Sequence, residues 1–169
     1  MSFQKHRKEA SKRLKIGVVV VSDSRYESMK KGRDTDVSGK IIVDLLQRRG
    51  HQTERVVVPD SKKKILRVLK RMIKKKHVII FTGGTGITRR DITIEAIEPQ
   101  LEKTLPGFGE ALRRIGYEKV GAPALLTRAT AGVFQGRLIF CLPGAPNAVK
   151  IAMRIIAPEL PHLVKHARE

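Results

Sequence analysis

Short runs of apolar residues, each ending at glycine or polar residues, set the pattern of this chain. Residues 14–21 read LKIGVVVV and residues 78–81 read VIIF, without the polar alternation of a half-exposed strand. Such runs are typical of parallel strands that are covered on both faces. Residues 53–58, TERVVV, predict a further strand with an apolar run at residues 56–58, and residues 138–142 form another such run. Together these segments predict four strands in one central, mostly parallel sheet.

Two helical patterns lie between the first three predicted strands. Residues 40–50 read KIIVDLLQRRG and residues 61–76 read SKKKILRVLKRMIKKK, and in both the apolar positions recur at helical spacing. Residues 26–36 are charged and predict an irregular connection. The alternation of strand and helix calls for right-handed crossovers, and it predicts an α/β fold with three layers, α/β/α.

The C-terminal part has weaker patterns. Residues 105–110 open a short predicted helix, ALRRIG, and residues 122–129 predict another. Gln135 and Gly136 separate two apolar runs and predict a hairpin turn. A last helix over residues 147–166 is predicted to be bent or interrupted by Pro158 and Pro161.

Length and composition suit one compact domain. The chain has 169 residues, of which 41% are hydrophobic. We expect residues 1–13 to form a flexible basic arm and residues 14–169 to form the domain. No apolar run approaches the roughly 20 residues that span a bilayer, and the start lacks a signal-peptide core, so we expect a cytoplasmic protein without membrane contact. The single Cys141 lies in an apolar run and is predicted to be a buried thiol.

The charge is strongly positive, with 35 Lys and Arg against 16 Asp and Glu. Such a surface attracts polyanions, and residues 61–76 carry nine basic side chains and no acid. The chain has no zinc-finger spacing and no aromatic RNA-binding signature. Nucleic-acid binding is therefore predicted to be at most non-specific, although a basic nucleic-acid-binding module stays an alternative.

A glycine-rich turn follows the third predicted strand. Residues 82–86 read TGGTG and are predicted to lead directly into a helix. Glycine amides and a helix N-terminus together suit a phosphate group. The predicted phosphate- and nucleotide-binding residues are Thr82, Gly83, Gly84, Thr85 and Gly86. The alternative is a turn whose glycines serve its geometry alone.

Two acids follow predicted strand ends. Asp91 lies close behind the glycine turn, and Asp60 follows the second strand. A carboxylate beside an anion site is useful if it holds Mg²⁺. Asp60 has an alternative role as a cap of the next helix together with Ser61. No GK[ST] follows the turn and no G-x-G-x-x-G is present, which argues against a Walker-type ATPase and a dinucleotide enzyme.

Further polar and glycine residues end the first and the last predicted strands. Residues 22–25 read SDSR and residues 143–146 read PGAP. Because α/β folds bind ligands at the carboxyl ends of their strands, both segments are candidates for a ligand site. A capped loop is the alternative interpretation of SDSR.

Five segments carry a resemblance to a known family. They are TGGTGITRRDITIEAI, SDSR, the D-x-S-G of residues 36–39, LPGFGE and LPGAPNAV. Together they resemble the MoaB/Mog family of molybdenum-cofactor biosynthesis proteins, and the match covers nearly all of the chain after Leu14.

The resemblance implies a molybdopterin-binding α/β fold and adenylylation of molybdopterin with ATP and Mg²⁺, the step before metal insertion. It implies that Asp60 and Asp91 are catalytic and that Asp91 binds Mg²⁺. The pterin-binding candidates are Ser22, Asp23, Ser38, Gly39, Glu95, Pro143, Gly144 and Ala145. Ala145 departs from the Ser or Asn that relatives often have there.

The resemblance also implies partners. Family members are typically trimers or hexamers, and a metal-insertion protein of the same pathway is a candidate partner. The alternative function is that of a non-catalytic molybdopterin-binding or scaffold protein with the same fold. The two acids favour the enzyme, because a carrier has less use for them beside an anion site.

Overall fold

The computed structural model describes residues 13–169, which form a six-stranded sheet between two layers of helices. The strand order is β2-β1-β3-β6-β5-β4. The strands are β1 (Lys15–Val21), β2 (Gln52–Val58), β3 (Val78–Thr82), β4 (Lys103–Thr104), β5 (Thr130–Phe134) and β6 (Arg137–Leu142). Strands β2, β1, β3 and β6 are mutually parallel, so the predicted central sheet is confirmed. Apart from Arg13, the predicted basic arm lies outside the described residues.

Seven α-helices cover the sheet in the described part of the chain. They are α1 (Asp23–Lys30), α2 (Ser38–Gln47), α3 (Lys62–Met72), α4 (Thr93–Ile97), α5 (Pro106–Val120), α6 (Pro146–Ile156) and α7 (Leu160–Arg168). Helices α2, α5, α6 and α7 pack their apolar residues on one face, and α3 and α4 pack theirs on the other. The three-layer α/β/α prediction is confirmed.

The uninterrupted apolar runs have a direct physical cause. In β1, Ile16 and Val18 point into one apolar core, while Val19 and Val21 point into the other. Because both faces of a central parallel strand are buried, no position in it needs a polar side chain. The same division holds in β3, and the core is correspondingly aliphatic.

The parallel register brings four strand ends to one edge of the sheet. Val21 of β1 pairs with Val58 of β2. Thr82, the last residue of β3, pairs with Val20 on one side and with Leu142 on the other. The residues that follow β1, β2, β3 and β6 therefore meet at this edge.

Two predictions between the strands were wrong. Residues 23–30 form helix α1 rather than part of an irregular connection, with Ser22 as the N-cap accepting from the Arg25 amide. No residue of α1 is buried, so the helix shows no apolar stripe. The glycine turn also does not lead directly into a helix, because residues 85–92 form a loop and α4 begins only at Thr93.

The C-terminal part differs from prediction in its helices. Helix α5 has 15 residues, whereas a short helix was predicted. It begins already at Pro106, because proline is tolerated in the first turn of a helix. Residues 122–126 form a 3-10 helix that ends before the predicted boundary at Ala129, and strand β4 was not predicted. The hairpin and the interruption near Pro158 are confirmed, with positive φ at both Gln135 and Gly136 in the β5–β6 turn.

Cys141 lies in the core of β6, as predicted. Its thiol is buried, and burial raises its pKa far above the usual value, so it stays protonated and unreactive. In the part of the chain that the structure describes, no helix has both the length and the apolarity that a membrane-spanning segment requires.

The close packing of β4 on β5 generates a stability prediction. A Cβ at Gly132 would overlap the Lys103 carbonyl oxygen and lie 2.8 Å from the Leu101 Cδ1 atom. We expect Gly132→Ala to lower the free energy of unfolding by about 1–3 kcal/mol, the cost of overpacking a core. Gly107→Ala is the matched control, because a Cβ there meets no atom within 4 Å. Urea unfolding at one protein concentration measures both, and equal stability of the two variants would contradict the packing argument.

Candidate functional site

Two glycine turns lie side by side at the carboxyl ends of β3 and β6. A Cβ at Gly144 would be only 3.2 Å from the Gly83 Cα atom, so the backbones of the two turns are in contact. Gly83 and Gly84 have φ of 95° and 65°, which side chains rarely adopt. A Cβ at Gly83 would also overlap the Val21 carbonyl oxygen. Glycine is therefore required in the first turn and at the contact.

Three hydroxyl groups hold these turns in place. The Thr82 Oγ1 atom donates to the Pro143 carbonyl at 2.9 Å, and the Ser38 Oγ atom donates to the Gly144 carbonyl at 2.7 Å. The Thr93 Oγ1 atom donates to the Gly83 carbonyl at 2.7 Å. The hydroxyls of Ser38 and Thr82, predicted as ligand contacts, thus bond to the backbone of the turns.

A large cavity of about 890 Å³ opens beside the turns. Gly83, Gly84, Thr85, Gly86, Asp91, Pro143, Gly144 and Ala145 line it on the side of the turns. Apolar side chains also line it, among them Leu112, Val120, Leu126 and Ile151. Three basic side chains, Lys119, Lys150 and Arg154, also line it, and none forms an ion pair with another residue between 13 and 169. The cavity therefore combines backbone amides, a carboxylate, positive charge and an apolar wall.

Asp91 is held firmly within the loop that follows the first turn. Its Oδ2 atom accepts hydrogen bonds from the Thr88 amide at 2.9 Å and the Thr88 hydroxyl at 2.6 Å. Partial burial favours protonation, but the bonds from Thr88 and Gly86 and the nearby Arg128 outweigh it, so the pKa of Asp91 is lowered. Asp91 therefore carries its negative charge at neutral pH, and its Oδ1 atom is not engaged by Thr88.

Arg128 fixes the same loop from the far side and was missed by the sequence reasoning. Its Nε atom donates to the Gly86 carbonyl at 2.8 Å, and its Nη2 atom donates to the Asp91 carbonyl at 3.2 Å. It also forms an ion pair with Glu95. Glu95, a predicted pterin-binding candidate, is thus engaged with Arg128 and does not line the large cavity.

Asp60 lies beside the first turn but outside the lining of the large cavity. It exchanges two bonds with Asp23: the Asp23 amide donates to the Asp60 carboxylate and the Asp60 amide to the Asp23 carboxylate, both at 3.0 Å. A Cβ at Gly84 would lie 3.2 Å from the Asp60 Oδ1 atom. The alternative in which Asp60 and Ser61 cap the next helix is confirmed for Ser61 alone. Ser61 is the N-cap of α3, whereas the Asp60 carboxylate accepts from the Asp23 amide.

The electrostatic surroundings of Asp60 differ from those of Asp91. Burial raises the pKa of Asp60, and the negative charges of Asp23 and Asp91 raise it further. Asp60 and Asp91 are thus close enough to repel each other. A divalent cation or another positive group near them would relieve this repulsion.

The D-x-S-G segment supports the second turn from behind. Asp36 is 2% exposed, accepts the Gly39 amide at 3.0 Å and pairs with Arg55 at 2.7 Å. These contacts hold the start of α2, where Ser38 reaches the Gly144 carbonyl. Gly39, a predicted pterin-binding candidate, is buried against Asp36 and Val20. It lines neither the large cavity nor the smaller one described next, so its role is in packing behind the second turn.

The remaining predicted residues lie around a smaller cavity of about 250 Å³. Ser22, Ser38 and Thr82 line it together with Arg25, and Gly83 and Gly144 line both cavities. The structure thus brings most predicted site residues to one edge of the sheet. Asp23 lies beside Asp60 instead. Sequence reasoning assigned no individual role to Thr88, Thr93, Lys119, Arg128, Lys150 and Arg154. Thr88 and Thr93 lie within the motif TGGTGITRRDITIEAI, whereas the four basic residues belong to no recognisable local signature.

The residues suit Mg²⁺ better than a metal that needs a complete protein site. Residues 13–169 contain no group of three or more His, Cys, Asp or Glu that could hold a metal ion. Magnesium is commonly bound through one or two carboxylates, with water and substrate phosphates as the other ligands. Asp91, with Asp60 close by, fits this donor set.

Comparison with known proteins agrees with this geometry. Residues 17–162 match the family model described as "Probable molybdopterin binding domain". The molybdopterin adenylyltransferase of Pyrococcus furiosus is 46% identical over 174 residues, covering 100% of both chains. The molybdenum cofactor biosynthesis protein B of Bacillus subtilis is 41% identical, covering 100% of this chain and 99% of its own.

Solved structures give the same result. The tungsten cofactor synthesizing protein MoaB from P. furiosus has a TM-score of 0.83 and 47% identity, covering 95% of this chain and 100% of its own. The molybdopterin biosynthesis Mog protein from Mycobacterium ulcerans has a TM-score of 0.80 and 29% identity, covering 90% of this chain and 98% of its own. The motifs, the fold and these relatives together show that the chain belongs to the MoaB/Mog family of molybdenum-cofactor biosynthesis proteins.

Proposed function

We propose that the protein transfers an adenylyl group from ATP to molybdopterin, with Mg²⁺, before the metal is inserted. The observation that carries the proposal is the large cavity, in which both glycine turns and the charged Asp91 line one space. A relative that matches the whole chain is named molybdopterin adenylyltransferase, which supports this reaction over other uses of the site.

The reaction brings two phosphate-bearing substrates together. An oxygen of the terminal phosphate of molybdopterin attacks the α-phosphorus of ATP, and a new P–O bond forms. The bond from the α-phosphorus to the oxygen that bridges it to the β-phosphorus breaks, and pyrophosphate leaves with the electron pair. Positioning and charge stabilisation are the main tasks of the protein in such a transfer.

The residues of the site suit those two tasks. The amides of the glycine turns are donors for phosphoryl oxygens, and their fixed backbone costs no reorganisation during the reaction. Lys119, Lys150 and Arg154 bring positive charge to the same cavity. The apolar wall around Leu112, Val120 and Ile151 suits a planar ring of one of the two substrates.

The acids would hold the metal ion. Asp91, tied at Oδ2 by Thr88, keeps its other oxygen for Mg²⁺ or a substrate group. Asp60 lies next to Gly84 of the first turn. Mg²⁺, when bound, supplies the positive charge that offsets the repulsion among the phosphates.

Replacement of Asp91 tests the enzymatic role. We expect Asp91→Ala to slow adenylyl transfer about 100-fold or more, the effect of removing a group that stabilises charge in the transition state. Binding of molybdopterin should largely survive, because the turns and the apolar wall remain. Single-turnover assays with molybdopterin, ATP and Mg²⁺ measure the rate, and titration measures binding. Asp44→Ala, which removes an exposed acid of α2, is the matched control and should keep the parent rate.

The same assay separates enzyme from scaffold. If Asp91→Ala transfers at the parent rate, the assignment of the site is wrong. If the unaltered protein binds molybdopterin but forms no adenylylated product, the scaffold function replaces the proposed one.

The negative charge of Asp60, although needed for activity, should lower the stability of the folded protein. Because its pKa is raised in the folded protein, the folded state is penalised once Asp60 ionises, and the penalty is full above the raised pKa. Asp60→Asn keeps an acceptor for the Asp23 amide and removes the charge. We expect this variant to be at least as stable as the parent at pH 7, while transfer slows about 100-fold. Any gain in stability should shrink as pH falls from the raised pKa towards the ordinary carboxyl pKa, and it should be absent below that ordinary value. Thermal melts across pH check the sign, and a stability deficit that grows with pH would contradict it.

An apolar surface near the cavity supports self-association. Tyr117, Val120, Leu125 and Leu126 are 52–65% exposed, at the end of α5 and in the 3-10 helix behind it. We propose that they contact another copy of the chain in a trimer or hexamer. Light scattering at micromolar concentration should give three or six times the 18.9 kDa chain mass. Leu125→Lys should reduce that mass, Met29→Lys on α1 should not, and a monomeric parent protein would overturn the proposal.

A further inference from the structure

Four peptide groups, two consecutive ones in each glycine turn, share one arrangement. The Gly83 carbonyl accepts from the Thr93 hydroxyl, and the Gly84 carbonyl accepts from the Thr93 amide at 3.0 Å. The Pro143 carbonyl accepts from the Thr82 hydroxyl, and the Gly144 carbonyl accepts from the Ser38 hydroxyl. Every carbonyl of this set is therefore occupied by a donor from the protein.

The fixed carbonyls determine where the neighbouring amides point. No peptide bond among residues 13–169 is cis, so each N–H is directed opposite to the carbonyl of the preceding residue. The amides of Gly84, Thr85, Gly144 and Ala145 are thus turned away from the groups that hold the carbonyls. None of these amides donates to an acceptor within the described residues, and all four residues line the large cavity.

The hydroxyls themselves have no capacity left to serve as ligand donors. Each hydroxyl has one proton, and the structure commits it to a turn carbonyl. Thr82 and Thr93 are 1% and 0% exposed, and Ser38 is 7% exposed. Their position is behind the turns rather than in the large cavity, since none of the three lines it.

We propose that Ser38, Thr82 and Thr93 are positioning residues that hold four backbone amides, two from each glycine turn, as a single pocket for a phosphoryl group. This inference rests on the proposed function for the identity of the phosphoryl group as part of ATP or molybdopterin. Aligned amides of this kind form a concave site for anions without any charged side chain.

The three hydroxyls come from separate elements, and this explains how two turns act as one site. Thr82 ends β3, yet its hydroxyl holds the turn after β6. Thr93 begins α4 and holds the turn after β3, while Ser38 begins α2 and holds the turn after β6. The Gly83–Gly144 contact joins the turns directly. Loss of one hydroxyl frees one peptide group to rotate and misaligns the amide that follows it.

The test compares Thr93→Val with Thr93→Ser. Valine has the shape of threonine without the hydroxyl, and serine restores the hydroxyl without the methyl group. Calorimetric titration with inorganic pyrophosphate reports on the pocket without the transfer reaction. We expect Thr93→Val to weaken pyrophosphate binding about 10-fold or more, which corresponds to about 1.4 kcal/mol, and Thr93→Ser to stay within about threefold of the parent.

A matched control and a second variant keep the test decisive. Thr130→Val removes a hydroxyl of β5 whose partner is Glu98. Thr130 lines neither cavity of the turns, so this variant should leave pyrophosphate affinity unchanged. Ser38→Ala deletes only one oxygen and should weaken binding as Thr93→Val does, so a folding defect of Thr93→Val does not end the test. Titrations run well below the melting temperature of each variant.

Three results would overturn the inference. They are parent protein that does not bind pyrophosphate, folded Thr93→Val or Ser38→Ala with parent affinity, and Thr93→Ser that loses as much affinity as Thr93→Val. Parent protein that binds pyrophosphate but does not adenylylate molybdopterin would instead refute the proposed function and leave the pocket in place.

Discussion

The backbone contact between Gly83 and Gly144 is the constraint on which the site depends. It exists because β3 and β6 are adjacent parallel strands whose ends fall in register at Thr82 and Leu142. A side chain at Gly144 would push the two turns apart, and a side chain at Gly83 would overlap the Val21 carbonyl oxygen of β1. The large cavity, the phosphate-binding amides and the loop that carries Asp91 all take their position from this contact.

Asp60 and Asp91 lie in one small region, yet their pKa values are shifted in opposite directions. Asp91 is charged at low cost because Thr88, Gly86 and Arg128 compensate it, whereas Asp60 faces burial and two other carboxylates. A protein with a formal charge of +19 has many ways to neutralise an acid, yet Asp60 keeps a raised pKa. An acid whose pKa is raised at a cost in stability is typical of functional sites, where residues are selected for activity rather than for stability.

Support for the site extends into the fold through a buried ion pair. Asp36 is almost fully buried and has Arg55 of β2 as its partner, while its other oxygen accepts the Gly39 amide. Removal of Arg55 would leave a buried carboxylate without compensation, a change that is strongly destabilising. Because Ser38 begins the same helix, the edge strand β2 influences the turn after β6 through this chain of contacts.

The prediction of the fold succeeded where burial leaves a pattern in the sequence. The runs at residues 16–21 and 78–81 contain no polar side chain, because both faces of these strands are covered. Helix α1 escaped prediction since none of its residues is buried, and residues 85–92 were misjudged because hydrogen bonds within the loop, not apolar spacing, shape it.

The sequence alone was sufficient to identify the glycine turns, the acids Asp60 and Asp91 and the family motifs. Each of these features depends on residue types at short spacing. The ion pair of Arg128 with Glu95 joins residues 33 positions apart, and Thr82 reaches a carbonyl 61 positions away. Contacts of this kind leave no local signal, since any residue of suitable chemistry could stand at either end. The sequence thus determined which residues gather at the edge of the sheet, and the tertiary structure decided which of them face the cavity and which hold the backbone behind it.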